Sequence, residues 1–252
     1  MKPSNTKIVL FADLDGTLLN GKYDFVEVEP IIKNLLSLNV SIVLNSSKTR
    51  WEMDFYRKNL GITDPFIVEN GSAILIPKNY FKASYRYTQQ VQDYYIIQLG
   101  RSYSEIREKL ALVKTKTNAN IVGFGDMTIE EIARDSGLPL HLAQLAKKRE
   151  YDEPFRILEG DEKKVLNAIN AEGLCYTTGG RYFHMLGNCN KGKALCVLKN
   201  LYLQEFKKVV TIGVGDSAND LPMLQLVDKP FRLTSTTDNR KVWQEILTAA
   251  HC

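Results

Sequence analysis

The sequence predicts an α/β protein, a parallel sheet with helices on its faces, interrupted by an inserted α+β module. Three observations carry that prediction. The first third of the chain alternates short β-rich runs with amphipathic stretches, the βαβαβ rhythm of a parallel sheet. The last quarter resumes the same rhythm. Between them lie helical stretches and two strands joined by a glycine pair, a pattern that does not continue the parallel winding. The module is placed at residues 84–187, leaving 1–83 and 188–252 to form the two parts of the core.

The opening strand is "IVLFAD", an apolar run that ends in an acid. "EPIIKNLLSL" follows as an amphipathic helix and "VSIVLNSS" as the second strand. In "TRWEMDFYRKNLG", Trp51 and Phe55, with Met53 or Leu60, form a helical stripe, and Gly61 is placed to stop the helix. "FIVENG" is the third strand. In the middle, "SYSEIREKLALVKTKTN" is helical, "NIVGFG" is a strand, and "MTIEEIARDSGL" opens a helix with a capping box from Thr128 to Glu131. A helix through "HLAQLAKKRE", a strand "PFRIL", a helix "DEKKVLNAINAEG" and the strands "LCYTT" and "RYFHML", split by Gly179-Gly180, complete the module. "KKVVTIGVGD" is then a strand ending in an acid, before a short helix through Leu226 and a closing helix near "RKVWQEILTAA".

With 252 residues, 44% of them apolar, the chain has core enough for one large domain or two modest ones. The net charge of +4 comes from 33 basic and 29 acidic residues scattered along the chain. No polybasic tail points to nucleic acid or a membrane surface, and an acidic small-molecule substrate fits the mild positive bias. Cys175, Cys189, Cys196 and Cys252 lack CxxC spacing and a partnering histidine cluster, which argues against zinc and for free thiols in a reducing cytoplasm. The start, "MKPSNTK", is polar, and the apolar run after it is too short for a signal sequence or a membrane span, so a cytoplasmic location is expected.

The chemistry lies at the strand ends. Asp13 and Asp15 stand one residue apart at the end of a buried strand, where their repulsion is costly unless a cation or hydrogen bonds compensate. Asp216, with Asn219 and Asp220 behind it, ends a second such strand. Open α/β sheets bind ligands at the carboxyl ends of their strands. A lone DxD reads equally as an acidic turn, but its pairing with GDSAND near the other end of the chain does not.

"DLDGTLL" at 13–19 and "GVGDSANDLPML" at 213–224 resemble the haloacid-dehalogenase superfamily of phosphatases. The resemblance implies a Rossmann-like parallel core with an inserted cap and phosphoryl transfer through an aspartyl-phosphate. Asp13 is suited to attack phosphorus, and Asp15 to protonate the leaving oxygen and later take a proton from water. Gly16 turns the chain and Thr17 orients Asp15. Mg²⁺ keeps several waters and takes few protein ligands, which matches Asp13, Asp216 and the backbone carbonyl of Asp15, with Asn219 and Asp220 holding metal-bound waters. The superfamily places a phosphate-binding Ser or Thr after the second strand, here assigned to Ser46, whose hydroxyl and backbone N–H can bind a phosphoryl oxygen, with its neighbour Ser47 as the alternative. "NKGKAL" offers Lys191 and Lys193, and the resemblance favours Lys191.

"NSSKT", "FIVENGSAILIP", "GFGDMTIEEIARDSGL", "LAQLAKKREYDEPF" and "TTGGRYFHML" look like mannosyl-3-phosphoglycerate phosphatases through core and cap. This implies a C2-type cap and hydrolysis of 2-O-(α-mannosyl)-3-phosphoglycerate to mannosylglycerate, a compatible solute, with the glucosyl ester as a close alternative. The matching cap positions are Arg149, Glu153, Gly179, Gly180, Arg181 and His184. A guanidinium suits a glycerate carboxylate, a Gly-Gly turn exposes backbone N–H groups, and Glu153 accepts from sugar hydroxyls. Each has a plainer alternative: a hairpin turn for the glycines, an i, i+4 ion pair for Arg149 with Glu153, an interior imidazole for His184. Asp152 departs from the family pattern and bears on which sugar is bound. Two rivals from other classes stand beside this reading, a phosphomannomutase-like phosphotransferase and a non-catalytic sugar-phosphate sensor.

Overall fold

A computed structural model describes residues 6–20, 23–234 and 236–251. The residues "MKPSN" and Cys252 lie outside them; Cys175, Cys189 and Cys196 are free thiols. The elements run β1 (Thr6–Ala12), α1 (Glu29–Ser37), β2 (Ser41–Leu44), α2 (Arg50–Leu60), β3 (Phe66–Val68), β4 (Ala73–Pro77), β5 (Gln89–Val91), β6 (Tyr94–Gln98), α3 (Tyr103–Thr117) and β7 (Asn120–Gly123). They continue α4 (Ile129–Ser136), α5 (Leu140–Ala146), β8 (Asp152–Glu159), α6 (Glu162–Ala171), β9 (Cys175–Gly179), β10 (Tyr182–Leu186), α7 (Lys191–Glu205), β11 (Lys208–Gly215), α8 (Leu221–Leu224), β12 (Lys229–Arg232) and α9 (Asn239–Ala249).

The core sheet is parallel in the order β12-β11-β1-β2, and a single bridge from Asn45 to Ile67 passes it on to β3. Alternation along β1 explains its unbroken apolar run: Leu10 and Ala12 pack with α1, α2 and α9, while Val9 and Phe11 pack with α7 on the other face. Asp13 and Asp216 therefore emerge side by side from the adjacent strands β1 and β11, at their carboxyl ends.

β3 turns antiparallel into β4, β6 and β5. The last two fall after residue 84, where the insertion was expected to start, yet β6 pairs with β4 and β5 with β6, extending the sheet of β3. We therefore place the start of the cap near residue 100. Its sheet is antiparallel in the order β7-β8-β10-β9, with α3 and α6 covering one face around Ile121, Phe155 and Met185. Its other face looks onto the core. Helices α4 and α5 reach across, for Ile132, Leu142 and Ala146 join Met53 and Tyr56 of α2 in one apolar cluster.

The capping box at Thr128–Glu131 forms, and Gly61 ends α2 in a left-handed conformation at φ 69°. The stripe of α2 differs from expectation: Met53, Tyr56 and Leu60 are the buried positions, whereas Phe55 is exposed and Trp51 is packed between Arg50 and Lys148. "FIVENG" is also not all strand. It ends at Val68, and Glu69, Asn70 and Gly71 all have positive φ, reversing the chain.

Candidate active site

Three carboxylates, Asp13, Asp216 and Asp220, converge with oxygens within 4.8 Å of one another. Lys191, at the first turn of α7, places its buried ammonium between two of them, 2.6 Å from Asp13 Oδ1 and 2.6 Å from Asp220 Oδ1. Asn45 at the end of β2 anchors this turn by donating to the Lys191 carbonyl. Burial alone would lower the lysine, but Asp13 and Asp220 outweigh it and hold the ammonium above its usual range. Asp220 spends its other oxygen on the backbone N–H groups of Asp216 and Ser217, so it braces the loop. Lys193 is exposed and bonds to Asn188, away from the acids.

Burial pushes the Asp13 carboxyl up to about 8 in spite of Lys191, and Asp220 and Asp15 push the same way. Three carboxylates around one ammonium leave the cluster short of positive charge. A divalent cation fits there on three observations: the acid convergence, an orphaned buried Asn219 Oδ1, and Gly16. At φ 73° that glycine brings its backbone so near Asp216 that a Cβ would lie 2.4 Å from Oδ2. Asp13, Asp216 and the Asp15 carbonyl are the groups that would hold it.

Asp15 turns its side chain to the next strand end. Its Oδ2 is 2.9 Å from Lys48 Nζ, and its Oδ1 is buried without a partner. Sequence reasoning passed over Lys48. Its ammonium is buried between Asp15, Glu52 and the rings of Tyr23 and Tyr56, and the two acids hold it above its usual range against the opposing effect of burial. A signal was available: Lys48 is the first basic residue after β2, opposite the acids across the β1–β2 crevice. Thr17, expected to orient Asp15, has a buried hydroxyl without a partner. Ser46 is fully buried and its N–H is spent on the Ile67 carbonyl, which corrects its expected use as a backbone donor; Ser47 lines the cavity over the acids.

That cavity, of about 240 Å³, runs from Asp13 and Asp15 to the cap, where Arg149, Gly179, Gly180, Arg181 and His184 line it. Arg149 is clasped by the Ser47 carbonyl at 2.8 Å, by Asp152 and by Glu69. Its expected i, i+4 partner Glu153 is elsewhere. Glu153 accepts from Tyr103 at 2.5 Å, Arg107 at 2.8 Å and the Gly125 N–H at 2.9 Å, on the far face of the cap sheet. Strand parity is the reason: Asp152 and Pro154 share the core-facing side with His184, and Glu153 and Phe155 take the side under α3.

Asp152, marked in the sequence only as a departure from the family pattern, is fully buried and is the hub of this site. It accepts from Arg149 and from Asn70 Nδ2 at 2.8 Å, and its Oδ2 lies 3.0 Å from His184 Nδ1. Asn70 Oδ1 in turn accepts from Asn219 Nδ2 at 3.0 Å, so a hydrogen-bonded chain joins the Asp216–Asp220 loop to the cap. Burial, with Arg149 and Lys191 nearby, lowers His184 to about 3. Glu69 fastens the start of β8 from the core by accepting from the N–H groups of Glu150, Tyr151 and Asp152. Gly179 and Gly180 do form a hairpin turn, with Gly180 at φ 57°, and the turn also lines the cavity. Arg181, exposed beside it, donates to the Asp135 carbonyl at 2.8 Å.

Strand-end acids, a buried lysine between them and a cap closing a cavity over both define a haloacid dehalogenase-like hydrolase, and the model of that family matches residues 10–249. Among solved structures, a Thermoplasma acidophilum protein, 0175, shares the fold at a TM-score of 0.69 and 17% identity, over 98% of this chain and 99% of that one. The subclass IIB sugar phosphatase BT4131 does so at 0.63 and 16%, over 94% and 91%. The glucosyl-3-phosphoglycerate/mannosyl-3-phosphoglycerate phosphatase of Methanococcoides burtonii is 45% identical over 229 residues, 89% of this chain and 84% of its own. The mannosyl-3-phosphoglycerate phosphatase of Pyrococcus horikoshii is 40% identical over 226 residues, 88% and 89%. The chain belongs to the mannosyl-3-phosphoglycerate phosphatase family of the haloacid dehalogenase superfamily.

Proposed function

We propose that this protein is a Mg²⁺-dependent phosphomonoesterase that hydrolyses 2-O-(α-mannosyl)-3-phosphoglycerate, and the glucosyl ester beside it, to the glycosylglycerate and phosphate. The observation that carries this is the single cavity shared by the acids of the core and the arginines of the cap. Asp13 attacks phosphorus in line and forms an aspartyl-phosphate. Asp15 gives its proton to the leaving glycerate oxygen, then takes one from the water that cleaves the acyl phosphate. Lys191 and Ser47 bind phosphoryl oxygens, and Lys48 fixes the side chain of Asp15. Asp13, Asp216 and the Asp15 carbonyl would hold Mg²⁺, which would supply positive charge against the transferring phosphoryl group.

In the cap, Arg149 and Arg181 suit the glycerate carboxylate, and the Gly179-Gly180 turn and His184 meet the sugar. Closure over the core excludes bulk water from the phosphoryl centre. Relatives whose names include both sugars support the double substrate. No helix among the described residues is long and apolar enough to cross a membrane, in keeping with a cytoplasmic setting for such a reaction.

Phosphate release from mannosyl- and glucosyl-3-phosphoglycerate, with 3-phosphoglycerate and mannose 6-phosphate as controls, tests the proposal. Fast release from a glycosyl ester, abolished by EDTA and restored by Mg²⁺, is expected. Release from the simple phosphates alone refutes the substrate; phosphate moved to another sugar without release identifies a mutase.

A further inference from the structure

We infer that Asp152 is a positioning residue for substrate selection: it holds His184 with its proton on Nδ1, so that Nε2 meets the cavity as an acceptor for a hydroxyl of the sugar. The inference rests on the reading that the substrate carries a sugar, and it adds a residue and a tautomer to it.

The geometry leaves the ring one arrangement. Both oxygens of Asp152 are engaged by obligate donors, Oδ1 by the Arg149 guanidinium and Oδ2 by the Asn70 amide nitrogen at 2.8 Å. A carboxylate fixed by such donors has only acceptance to offer, so at 3.0 Å from Oδ2 the ring nitrogen Nδ1 carries the hydrogen. Burial and the two neighbouring cations, Arg149 and Lys191, keep the ring neutral at pH 7. On a neutral ring protonated at Nδ1, Nε2 has a lone pair and no proton.

Nε2 has a clear approach. It makes no hydrogen bond to any described residue, and His184 lines the cavity. Its neighbour is Gly179, where a Cβ would stand 3.6 Å from it, so the glycine keeps the space over the nitrogen open. An acceptor there binds an O–H group and repels a carboxylate or phosphate oxygen. His184 thus complements Arg149: one group reads the neutral, hydroxylated half of the substrate, the other its anionic half, and one buried carboxylate sets both. Asp152 also fixes the Asn70 amide, leaving Asn70 Oδ1 for Asn219 on the metal-site loop. A change at Asp152 is therefore felt in selection before it is felt in chemistry.

With three histidines in the chain, long-range ¹H–¹⁵N spectra assign the ring nitrogens directly, the His184 signals being those lost in His184→Phe. The wild-type protein at pH 7 is expected to show Nδ1 protonated and Nε2 bare. Asp152→Asn offers an N–H to the ring and moves the proton to Nε2, raising KM for mannosyl-3-phosphoglycerate about tenfold, one hydrogen bond's worth, with kcat within about threefold. His184→Phe lowers the kcat/KM ratio of that substrate to 3-phosphoglycerate by about tenfold, and tests selection if Asp152→Asn does not fold. A wild-type ring protonated at Nε2 or on both nitrogens overturns the inference, as does an unchanged ratio in His184→Phe. Failure of the substrate reading shows separately, as no phosphate release from any glycosyl ester.

Discussion

Lys48 and His184 are two buried bases with opposite fates. Lys48 lies against Asp15 and Glu52 and keeps its charge, while His184 faces Arg149 and Lys191 as well as Asp152 and loses it. Lys48→Met removes the cation that fixes Asp15, so kcat is expected to fall by about 10²-fold with the fold retained, the range of a misplaced general acid. Steady-state kinetics with an unchanged kcat would show that Asp15 is positioned by something else. For His184 the sign follows from its depression from 6.5 to about 3. Above pH 6.5 both folded and unfolded chains hold it neutral; as pH falls, only the unfolded chain takes the proton, and stability is lost at about 1.4 kcal/mol per unit. Between pH 7 and 4.5 this residue contributes a loss of about 2.5 kcal/mol. Urea unfolding of His184→Phe should therefore show a shallower acid decline than wild type, and parallel curves would remove the histidine from the explanation. The acids Asp13, Asp15 and Asp216 were readable from the sequence because each ends an apolar strand. The place of Asp152 as a buried hub was not, because adjacent acids on a strand face opposite ways and only the pairing of Pro154 with His184 says which faces the core.

The turn Glu69–Gly71 shows what an element demands of its residues. Three successive positive φ values let Glu69 reach the start of β8 and Asn70 reach both Asn219 and Asp152. Gly71, at φ 88°, packs so closely that a Cβ would lie 2.2 Å from the Asn190 carbonyl, just before Lys191. Gly71→Ala is expected to cost about 2–4 kcal/mol, from left-handed strain and displacement of the α7 start, measured as a drop in the urea midpoint. A variant as stable as wild type would show that the contact yields easily. Helix ends were legible here because they depend on local chemistry, as at Thr128, Glu131 and Gly61. β5 and β6 were not: Gln89-Gln90 gives no alternation, and only tertiary pairing joins β6 to β4 and β5 to β6. That hidden pairing is why we place the cap's start near residue 100 rather than at 84.

Taken whole, the molecule divides its labour between two sheets. The parallel sheet gathers acids from both ends of the chain, and the antiparallel cap presents its polar face to them while α3 and α6 bury the other. The cap is tied to the core through polar links as well as apolar ones. Tyr23 donates to the Ser136 carbonyl at 3.2 Å, Thr49 to the Leu145 carbonyl at 3.1 Å, and Glu69 clasps the strand leading into β8. Such links suit a lid that closes for chemistry and opens for product, since each is exchanged for water at small net cost. The measurement to make is rapid acid quench of the enzyme turning over mannosyl-3-phosphoglycerate with Mg²⁺, followed by peptide mapping of the phosphorylated residue. A phosphoryl group on Asp13, absent in Asp13→Asn along with at least about 10³-fold of the turnover, is the predicted result. Turnover without any phosphoryl-aspartate, or undiminished activity in Asp13→Asn, would contradict it.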